Sequence, residues 1–507
     1  MSPGRLSGGL LVAAIGLLLL VGVSGESVAL PPLGDPGWAP PALPWTLAPW
    51  LVVVLQASAY LLGGASLVVH LRRPTPLRLR WWHLAGLAAL VLLTAPFGTA
   101  DHTNYAGYGR ILAQGGNPWV VAPEDFRGGE DPVTWLVQPP WRDTPSVYGP
   151  VGTWLMGLAG LLGGESMRQV VWVWQAFVVA AWLGVRALLV RLGSPRPVVD
   201  RWWTTNVLVL GAGVLGAHLD TLALAAMVAA LAAGLARRPL LAGLLTGVAA
   251  STKITAGVVG LALVVGWVME GARPLPERLR RAARPTLLLA AGTLAVLVPL
   301  HLLAGREAVS QVVGSGGGVS YATPWRAVYT VLDLGLPELA ARNLTIWVSA
   351  AACLALALAL WPVTAALERW PAVRALLVLT TAYSLVAAYV LPWYELMQWA
   401  SLTLALGLLV AAARGEAAPL AHHRGLRLLL LALLLRGTVL ALAYVPGRVR
   451  LPADVETVTL GFRFVASPLA TVAVWGVVIV LWRRTRSSRR PTAPAGPSSR
   501  SATTPGG

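Results

Sequence analysis

Charged residues are scarce in this 507-residue sequence: Asp, Glu, Lys and Arg together make up 12%, about half their share in an ordinary globular domain. Hydrophobic residues make up 56% and occur in repeated blocks of roughly 17 to 25 residues, the length that crosses a lipid bilayer. These two properties exclude a soluble enzyme. They indicate an all-α integral membrane protein with many transmembrane helices.

Cysteine is nearly absent as well. The single cysteine, Cys353, lies inside an apolar block, which excludes both a disulfide framework and a metal site built from thiolates. The net charge is +18, but the arginines stand in short clusters between apolar blocks, as in the cytoplasmic loops of membrane proteins. The positive charge therefore reports membrane topology, and no nucleic-acid partner is expected.

Fourteen apolar blocks predict a polytopic domain of about 12 to 14 transmembrane helices over residues 1–482, followed by a disordered, basic cytoplasmic tail at 483–507. The blocks lie at 8–25, 47–71, 81–99, 169–190, 202–217, 219–236, 240–252, 254–270, 285–304, 344–361, 372–391, 397–413, 425–445 and 466–482. The first block is also typical of a signal peptide, because Arg5 precedes it and small residues follow it. Its removal would leave the orientation of the other helices unchanged.

With the N-terminus in the cytoplasm, alternating crossings place about two thirds of the basic residues and only about a quarter of the acidic residues on the cytoplasmic side. The opposite, extracytoplasmic side carries the two longest loops, at 98–168 and 305–343. Loops of that length usually have a function. The glycine-rich run at 314–318 lacks the lysine of a P-loop, so we interpret it as a flexible lid or spacer.

The first long loop contains the main candidate for catalysis. Asp101 directly follows an apolar block, where a carboxylate can meet a lipid-linked substrate and act as a general base or accept hydrogen bonds from hydroxyls. The alternative is a solvated charge at a helix end. Tyr105 and Tyr108 follow on the same helical face as Asp101, and this stretch is predicted to lie along the membrane interface.

Aromatic residues mark the rest of this loop. The turn GGNPW places Asn117 beside Trp119, and the segment WRDTPSVYGP places Trp141 and Tyr148 just before a helix entry. Flat aromatic faces stack against sugar rings, although an interfacial aromatic belt explains these residues nearly as well. Both interpretations remain open from the residues alone.

Further ionisable residues stand at the outer ends of later helices. His218 and Asp220 lie at the junction of two apolar blocks, where an ionisable group costs free energy and therefore usually has a function. We expect them to bind substrate hydroxyls and not a metal, because the sequence shows no third metal ligand nearby. Lys253 lies between two short apolar blocks, at 240–252 and 254–270. It either extends to the lipid headgroups or neutralises the phosphate of a lipid-phosphate donor.

A short outer turn combines Pro392, Trp393, Tyr394 and Glu395, which suits contact with carbohydrate or, equally, a membrane anchor. Arg436 lies in the middle of an apolar block and is expected to pair with a polar group inside the bundle. The last outer loop carries three arginines that either bind phosphate or are ordinary solvated loop charges: Arg448, Arg450 and Arg463.

Together these segments resemble the GT-C glycosyltransferases, and most closely the polyprenol-phosphate-mannose-dependent α-1,6-mannosyltransferases that build bacterial lipoglycans. The matching stretches are GGNPW, WRDTPSVYGP, AHLDTLALAAMVAAL, RRPLLAGLLTGVAASTKIT and PWY, in the family's order between about residues 98 and 400. Two positions depart from the pattern: Trp119 stands where we expect tyrosine, and His218-Leu219-Asp220 stands where we expect a triplet like His-Asn-Asp.

The resemblance implies a GT-C-type bundle with a large first extracytoplasmic loop, in the cell membrane. It implies that Asp101 is the base that activates an acceptor hydroxyl, and that mannose passes with inversion from a polyprenyl-phosphate donor to a glycan or glycolipid acceptor. Membrane lipids are the other partners, and no cofactor is expected. The residues expected to contact substrate are Tyr105, Asn117, Trp119, Tyr148, His218, Asp220, Lys253, Trp393, Tyr394 and Glu395.

Two alternatives remain at this stage. A polytopic transporter or lipid flippase for envelope precursors would place ionisable residues near the middle of the bilayer, whereas here they concentrate at one face. A noncatalytic partner of a cell-envelope enzyme would explain the two departures from the family pattern.

Overall fold

The computed structural model describes residues 3–314, 318–413, 423–447 and 451–487, and within these ranges every regular element is a helix. Arg448, Arg450, part of the glycine-rich run and most of the basic tail lie outside the described residues. The α-helices are α1 (Pro3–Val23), α2 (Pro49–Arg72), α3 (Trp81–Leu93), α4 (Asp101–Ala113), α5 (Pro150–Gly163), α6 (Met167–Arg191), α7 (Arg196–Val199), α8 (Val207–Val209), α9 (Asp220–Leu235), α10 (Pro239–Thr252), α11 (Val258–Val268), α12 (Leu275–Ala304), α13 (Arg306–Gly314), α14 (Trp325–Asp333), α15 (Glu338–Val363), α16 (Pro371–Val386), α17 (Leu396–Ala412), α18 (Arg424–Leu442), α19 (Ala453–Gly461) and α20 (Ser467–Ser487).

Within the described residues, 8 helical segments are long and apolar enough to cross a membrane. They are Pro3–Val23, Pro49–Arg72, Met167–Arg191, Leu275–Ala304, Glu338–Val363, Pro392–Ala412, Arg424–Leu442 and Ala453–Ser487. The prediction of an all-α polytopic membrane protein is therefore confirmed.

Each of the fourteen predicted blocks is helical along most of its length, but not every block forms a separate helix long enough to cross a membrane. Several blocks lie in apolar helices of 10–17 residues, among them α3, α10 and α16, and two blocks form one bent pair. The blocks at 202–217 and 219–236 form one pair of helical arms, bent by 115°. The chain reverses at Ala217, which has a φ of +52°. Hydropathy alone did not reveal this bend, because both arms are apolar.

The long loop at 98–168, in which we expected no membrane span, contains α4 and the apolar α5. Every residue of α4 from His102 to Ile111 is buried within the protein, so α4 is an internal helix; its position along the membrane interface stays a prediction. Close contact with α5 explains this burial: a Cβ on Gly109 would lie 2.1 Å from the carbonyl oxygen of Met156. The two backbones cross almost in contact, which holds α4 inside the bundle.

An internal ion pair fixes the remainder of this loop to α4. The buried guanidinium of Arg110 donates through Nε to Asp131 at 2.9 Å, and Asp131 also accepts the backbone N–H groups of Val133 and Thr134. A buried carboxylate with these partners is well satisfied. The loop is therefore an ordered layer that covers the end of the bundle where Asp101 lies.

Candidate active site

Asp101 is the first residue of α4, and its carboxylate lies at the mouth of a cavity with 15% of the side chain exposed. Its backbone N–H donates to Oγ1 of Thr99 at 3.1 Å. The indole Nε1 of Trp141 donates to Oδ1 at 3.2 Å. The positive end of the helix dipole also favours the carboxylate at this position. These contacts hold the group in one orientation.

Burial raises the pKa of Asp101 from its ordinary value of 3.8 to about 6. The hydrogen bond from Trp141 and the charge of Lys253 act in the opposite direction, whereas the nearby charge of Asp220 adds to the rise. A carboxylate with this pKa is mostly ionised at neutral pH and is a stronger base than an ordinary aspartate. The environment suits Asp101 to accept a proton from a hydroxyl.

His218 connects Asp101 to two other segments of the chain. Its Nδ1 lies 3.6 Å from Oδ2 of Asp101 and 3.5 Å from the hydroxyl of Tyr105. The imidazole stacks on the ring of Trp393, with 3.7 Å between the ring centroids and 14° between the planes. The bend after α8 thus brings His218 between the first loop and the turn at 392–395.

Lys253 is the only lysine in the sequence; the other basic residues are arginines. It follows the last residue of α10 in an extended conformation, which aims its side chain across the site. Nζ lies 2.6 Å from Oδ1 of Asp220 and 3.6 Å from the ring centroid of Tyr394. An ammonium group has three N–H donors, so the contact with Asp220 leaves others for an anion.

These residues surround a cavity of about 960 Å³, called the first cavity below. Asp101, Tyr105, Tyr148 and Lys253 form its polar end, together with the rings of the turn at 392–395. Another wall is a mostly apolar face of α15, whose lining residues follow helical spacing: Ile346, Ser349, Ala350, Cys353, Leu354 and Ala357. The cavity therefore joins a polar, charged head region to a long apolar wall.

The structure brings eight of the eleven predicted site residues together. Six of them line the first cavity: Asp101, Tyr105, Tyr148, Lys253, Trp393 and Tyr394. His218 and Asp220 lie directly behind them, in contact with Asp101 and Lys253 respectively.

Asn117 and Trp119 do not line this cavity. Oδ1 of Asn117 accepts the backbone N–H of Trp119 at 3.0 Å, and the buried indole of Trp119 donates to the carbonyl oxygen of Tyr148 at 2.9 Å. The pair therefore positions the backbone of Tyr148. The sequence indicated the turn but not its arrangement, in which Trp119 is buried while Asn117 is exposed and caps the backbone of the turn.

Glu395 does not line the cavity either. Its carboxylate forms an ion pair with Arg436, and both side chains are almost completely buried. Arg436 also donates to the carbonyl oxygen of Ser384 at 2.8 Å. We expected Arg436 to pair with a polar group inside the bundle, and that group is Glu395. The ion pair joins the turn at 392–395 to α18.

Sequence reasoning missed Tyr383, Tyr389 and the apolar face of α15, all of which line the first cavity. The signal for α15 was available: small and medium apolar residues recur at intervals of three and four. An ordinary transmembrane helix has the same pattern, so it did not single out this face. In the described part of the chain, no group of three or more His, Cys, Asp or Glu side chains is arranged to hold a metal ion.

Comparison with known proteins gives one match. The family described as alpha-(1->6)-mannopyranosyltransferase, N-terminal domain, matches residues 8–270, which is more than half of the chain. This range includes Asp101, Tyr148, His218 and Lys253. No curated protein and no solved structure matches the chain.

Proposed function

Since the chain belongs to the alpha-(1->6)-mannopyranosyltransferase family and is a mannosyltransferase, we propose that it transfers mannose from a polyprenyl-phosphate donor to an envelope glycan or glycolipid. The observation that carries this proposal is the first cavity. Its polar end holds a carboxylate and an ammonium group, and its apolar wall extends along α15. A sugar phosphate linked to an isoprenoid chain has the same distribution of polar and apolar groups.

The isoprenoid chain would lie against α15. Ile346, Ala350, Leu354 and Ala357 give this helix an apolar lining, and Leu354 is 64% exposed in the protein alone. In a membrane such a surface faces lipid tails, so a chain can enter the cavity from the bilayer without passing through water. A nucleotide sugar has no part that would use this wall.

The chemistry follows from the groups at the polar end. Asp101 takes the proton of an acceptor hydroxyl while that oxygen forms a bond to the anomeric carbon of the mannose. The bond from this carbon to the phosphate oxygen breaks, its electron pair leaves with polyprenyl phosphate, and the configuration inverts. Lys253 stabilises the charge that develops on the leaving phosphate. Asp101 then releases its proton to water.

Three other groups would hold the reacting atoms in place. His218 contacts Asp101 and stacks on Trp393, so it fixes the carboxylate relative to the sugar. Asp220 holds Lys253 through the ion pair at 2.6 Å. Preorganised partners of this kind allow charge to develop without rearrangement of the site.

The distribution of charge supports an active site outside the cytoplasm. The residues of the polar end belong to loops that the positive-inside rule predicts on the extracytoplasmic side, because the arginine clusters stand in the alternate connections. Polyprenyl-phosphate sugars would be presented to that side from the outer leaflet. Membership in a transferase family ranks this function above the transporter or flippase that the sequence left open.

The test is transfer by the purified protein in detergent. Polyprenyl-phosphate mannose with a β-linked mannose and an α-linked oligomannoside should give a product one mannose longer with an α linkage, whereas GDP-mannose should give none. Transfer from GDP-mannose, or a β-linked product, would contradict the proposed donor and the inversion.

A further inference from the structure

A second cavity of about 430 Å³ is also lined by Asp101. Its walls come from parts of the chain that are distant in sequence: the segment 139–141, residues 319–321, α19 and the helical turn at 462–466. Its size falls within the roughly 300–1,000 Å³ typical of small-molecule sites. None of its lining residues belongs to α15, so it lacks the long apolar wall of the first cavity.

The two cavities meet at one partition. Both are lined by the same five residues: Asp101, Trp141, Tyr389, Leu391 and Trp393. Asp101 is the only ionisable carboxylate in this partition, and one oxygen of its side chain accepts from Trp141. A base that activates one substrate for attack on another must reach both, and a carboxylate shared by two cavities meets that requirement.

The lining of the second cavity suits hydroxyl-rich rings. Tyr321 is 40% exposed, and its ring packs on Phe464 with 4.6 Å between the centroids. The hydroxyl of Tyr444 lies 3.1 Å from Oγ of Ser320. Aromatic faces with polar rims bind ligands that have both apolar C–H faces and hydroxyl edges, as sugar rings have.

Besides Asp101, the described lining of the second cavity has two ionisable groups with opposite charges, Arg463 and Glu456. Arg463 lies with its guanidinium over the ring of Tyr444, 4.2 Å from the centroid, and its Nε donates to the carbonyl oxygen of Ala443 at 3.0 Å. Glu456 lines the same cavity from α19. Two carboxylates and one guanidinium in this small cavity disfavour an anionic ligand and suit a neutral ligand with many hydroxyls. Carboxylates accept hydrogen bonds from such hydroxyls, and the guanidinium donates to them.

We propose that the second cavity binds the acceptor, and that it recognises the acceptor by the neutral oligosaccharide end and not by any lipid anchor. This inference rests on the proposed function, since it assumes transfer of mannose from the first cavity. The reacting acceptor hydroxyl lies at Asp101, and the following sugar units lie over Tyr321 and Tyr444 toward Arg463. A soluble oligomannoside and a glycolipid with the same sugar end should therefore have similar KM values.

Blocking each cavity separately tests the assignment. Leu460→Trp, on α19, fills the second cavity, and Ala350→Trp, on α15, fills the first. We expect Leu460→Trp to raise the KM for the oligomannoside about tenfold, the equivalent of about 1.4 kcal/mol, with the donor KM within about twofold of the wild type. Ala350→Trp should do the reverse. Val458→Trp is the matched control, because Val458 lies exposed on α19 and lines neither cavity.

A milder variant covers the case in which Leu460→Trp does not fold. Tyr321→Ala removes an exposed ring that lines only the second cavity, and it should also raise the acceptor KM while slow hydrolysis of the donor by water stays unchanged. If either variant instead raises the donor KM or slows donor hydrolysis equally, the assignment of the second cavity is wrong although the mannosyltransfer stands. A wild-type protein that transfers no mannose from polyprenyl-phosphate mannose would overturn both proposals.

Discussion

Replacing Trp141 by phenylalanine should move the acid limb of the pH profile to higher pH. The variant loses the indole N–H that donates to Oδ1 of Asp101 at 3.2 Å, but it keeps an aromatic ring between the two cavities. This hydrogen bond stabilises the ionised carboxylate and so lowers its pKa, in opposition to the larger effect of burial. Without it, the pKa must rise above the wild-type value of about 6.

The size of the shift follows from the geometry. A hydrogen bond to a charged group contributes about 1.5–3 kcal/mol, and one of 3.2 Å to a carboxylate that is 15% exposed belongs at the lower end. Since one pKa unit corresponds to about 1.4 kcal/mol, we expect the pKa of Asp101 to rise by about one unit. Activity requires the ionised form, so it is present above the pKa and is lost as the pH falls through it.

The assay is kcat/KM for mannose transfer as a function of pH, which reports ionisations of the free enzyme. The wild type should lose activity below a pH of about 6, and Trp141→Phe below a pH about one unit higher. Trp135→Phe is the control, because Trp135 lies exposed in the same loop and lines neither cavity. An unchanged acid limb in Trp141→Phe, or a shift to lower pH, would refute the role of this hydrogen bond.

Three further predictions concern the leaving group, the core and the crossing of α4 with α5. Lys253→Met should lower the single-turnover rate by about 10²–10³-fold because the leaving phosphate loses its cation, and Lys253→Arg should retain part of the rate. Equal rates in the wild type and both variants would exclude the role of Lys253. Arg436→Leu should destabilise the protein by about 3–5 kcal/mol, measured by denaturation in detergent, because Glu395 stays buried without its partner. Adding Glu395→Leu to this variant should recover most of the lost stability. Gly109→Ala should cost about 1–3 kcal/mol by the same measurement, since its Cβ would meet the carbonyl oxygen of Met156; a neutral effect would show that α4 can move away from α5.

The sequence predicted the class of fold because apolar blocks of membrane-spanning length are visible without any knowledge of tertiary contacts. It also identified Asp101, His218, Lys253 and Trp393 as unusual, since ionisable and aromatic residues at helix ends stand out against an apolar background. Their proximity was an expectation from topology, since strictly alternating crossings would bring these helix ends to one side of the membrane. The contact between His218 and Trp393 depends on helix rotation, which hydropathy does not encode.

The features that the sequence did not reveal have physical causes of the same kind. The spacing of the α4 tyrosines on one helical face did not reveal that Gly109 allows so close a contact with α5 that the helix is buried on all sides. Glu395 stands among aromatic residues in a turn, as a sugar ligand would, yet it pairs with Arg436 from a distant helix. Pairings between distant segments decide which polar side chains face a cavity and which are internal.

The most direct test is the single-turnover rate of mannose transfer by Asp101→Asn. The amide has nearly the same shape and still accepts the hydrogen bond from Trp141, so donor binding and the melting temperature should match the wild type. Because general-base catalysis contributes about 10²–10⁴-fold, the transfer rate should fall by that factor at neutral pH. A folded Asp101→Asn protein that transfers mannose within about twofold of the wild-type rate would contradict the assignment of Asp101 as the base.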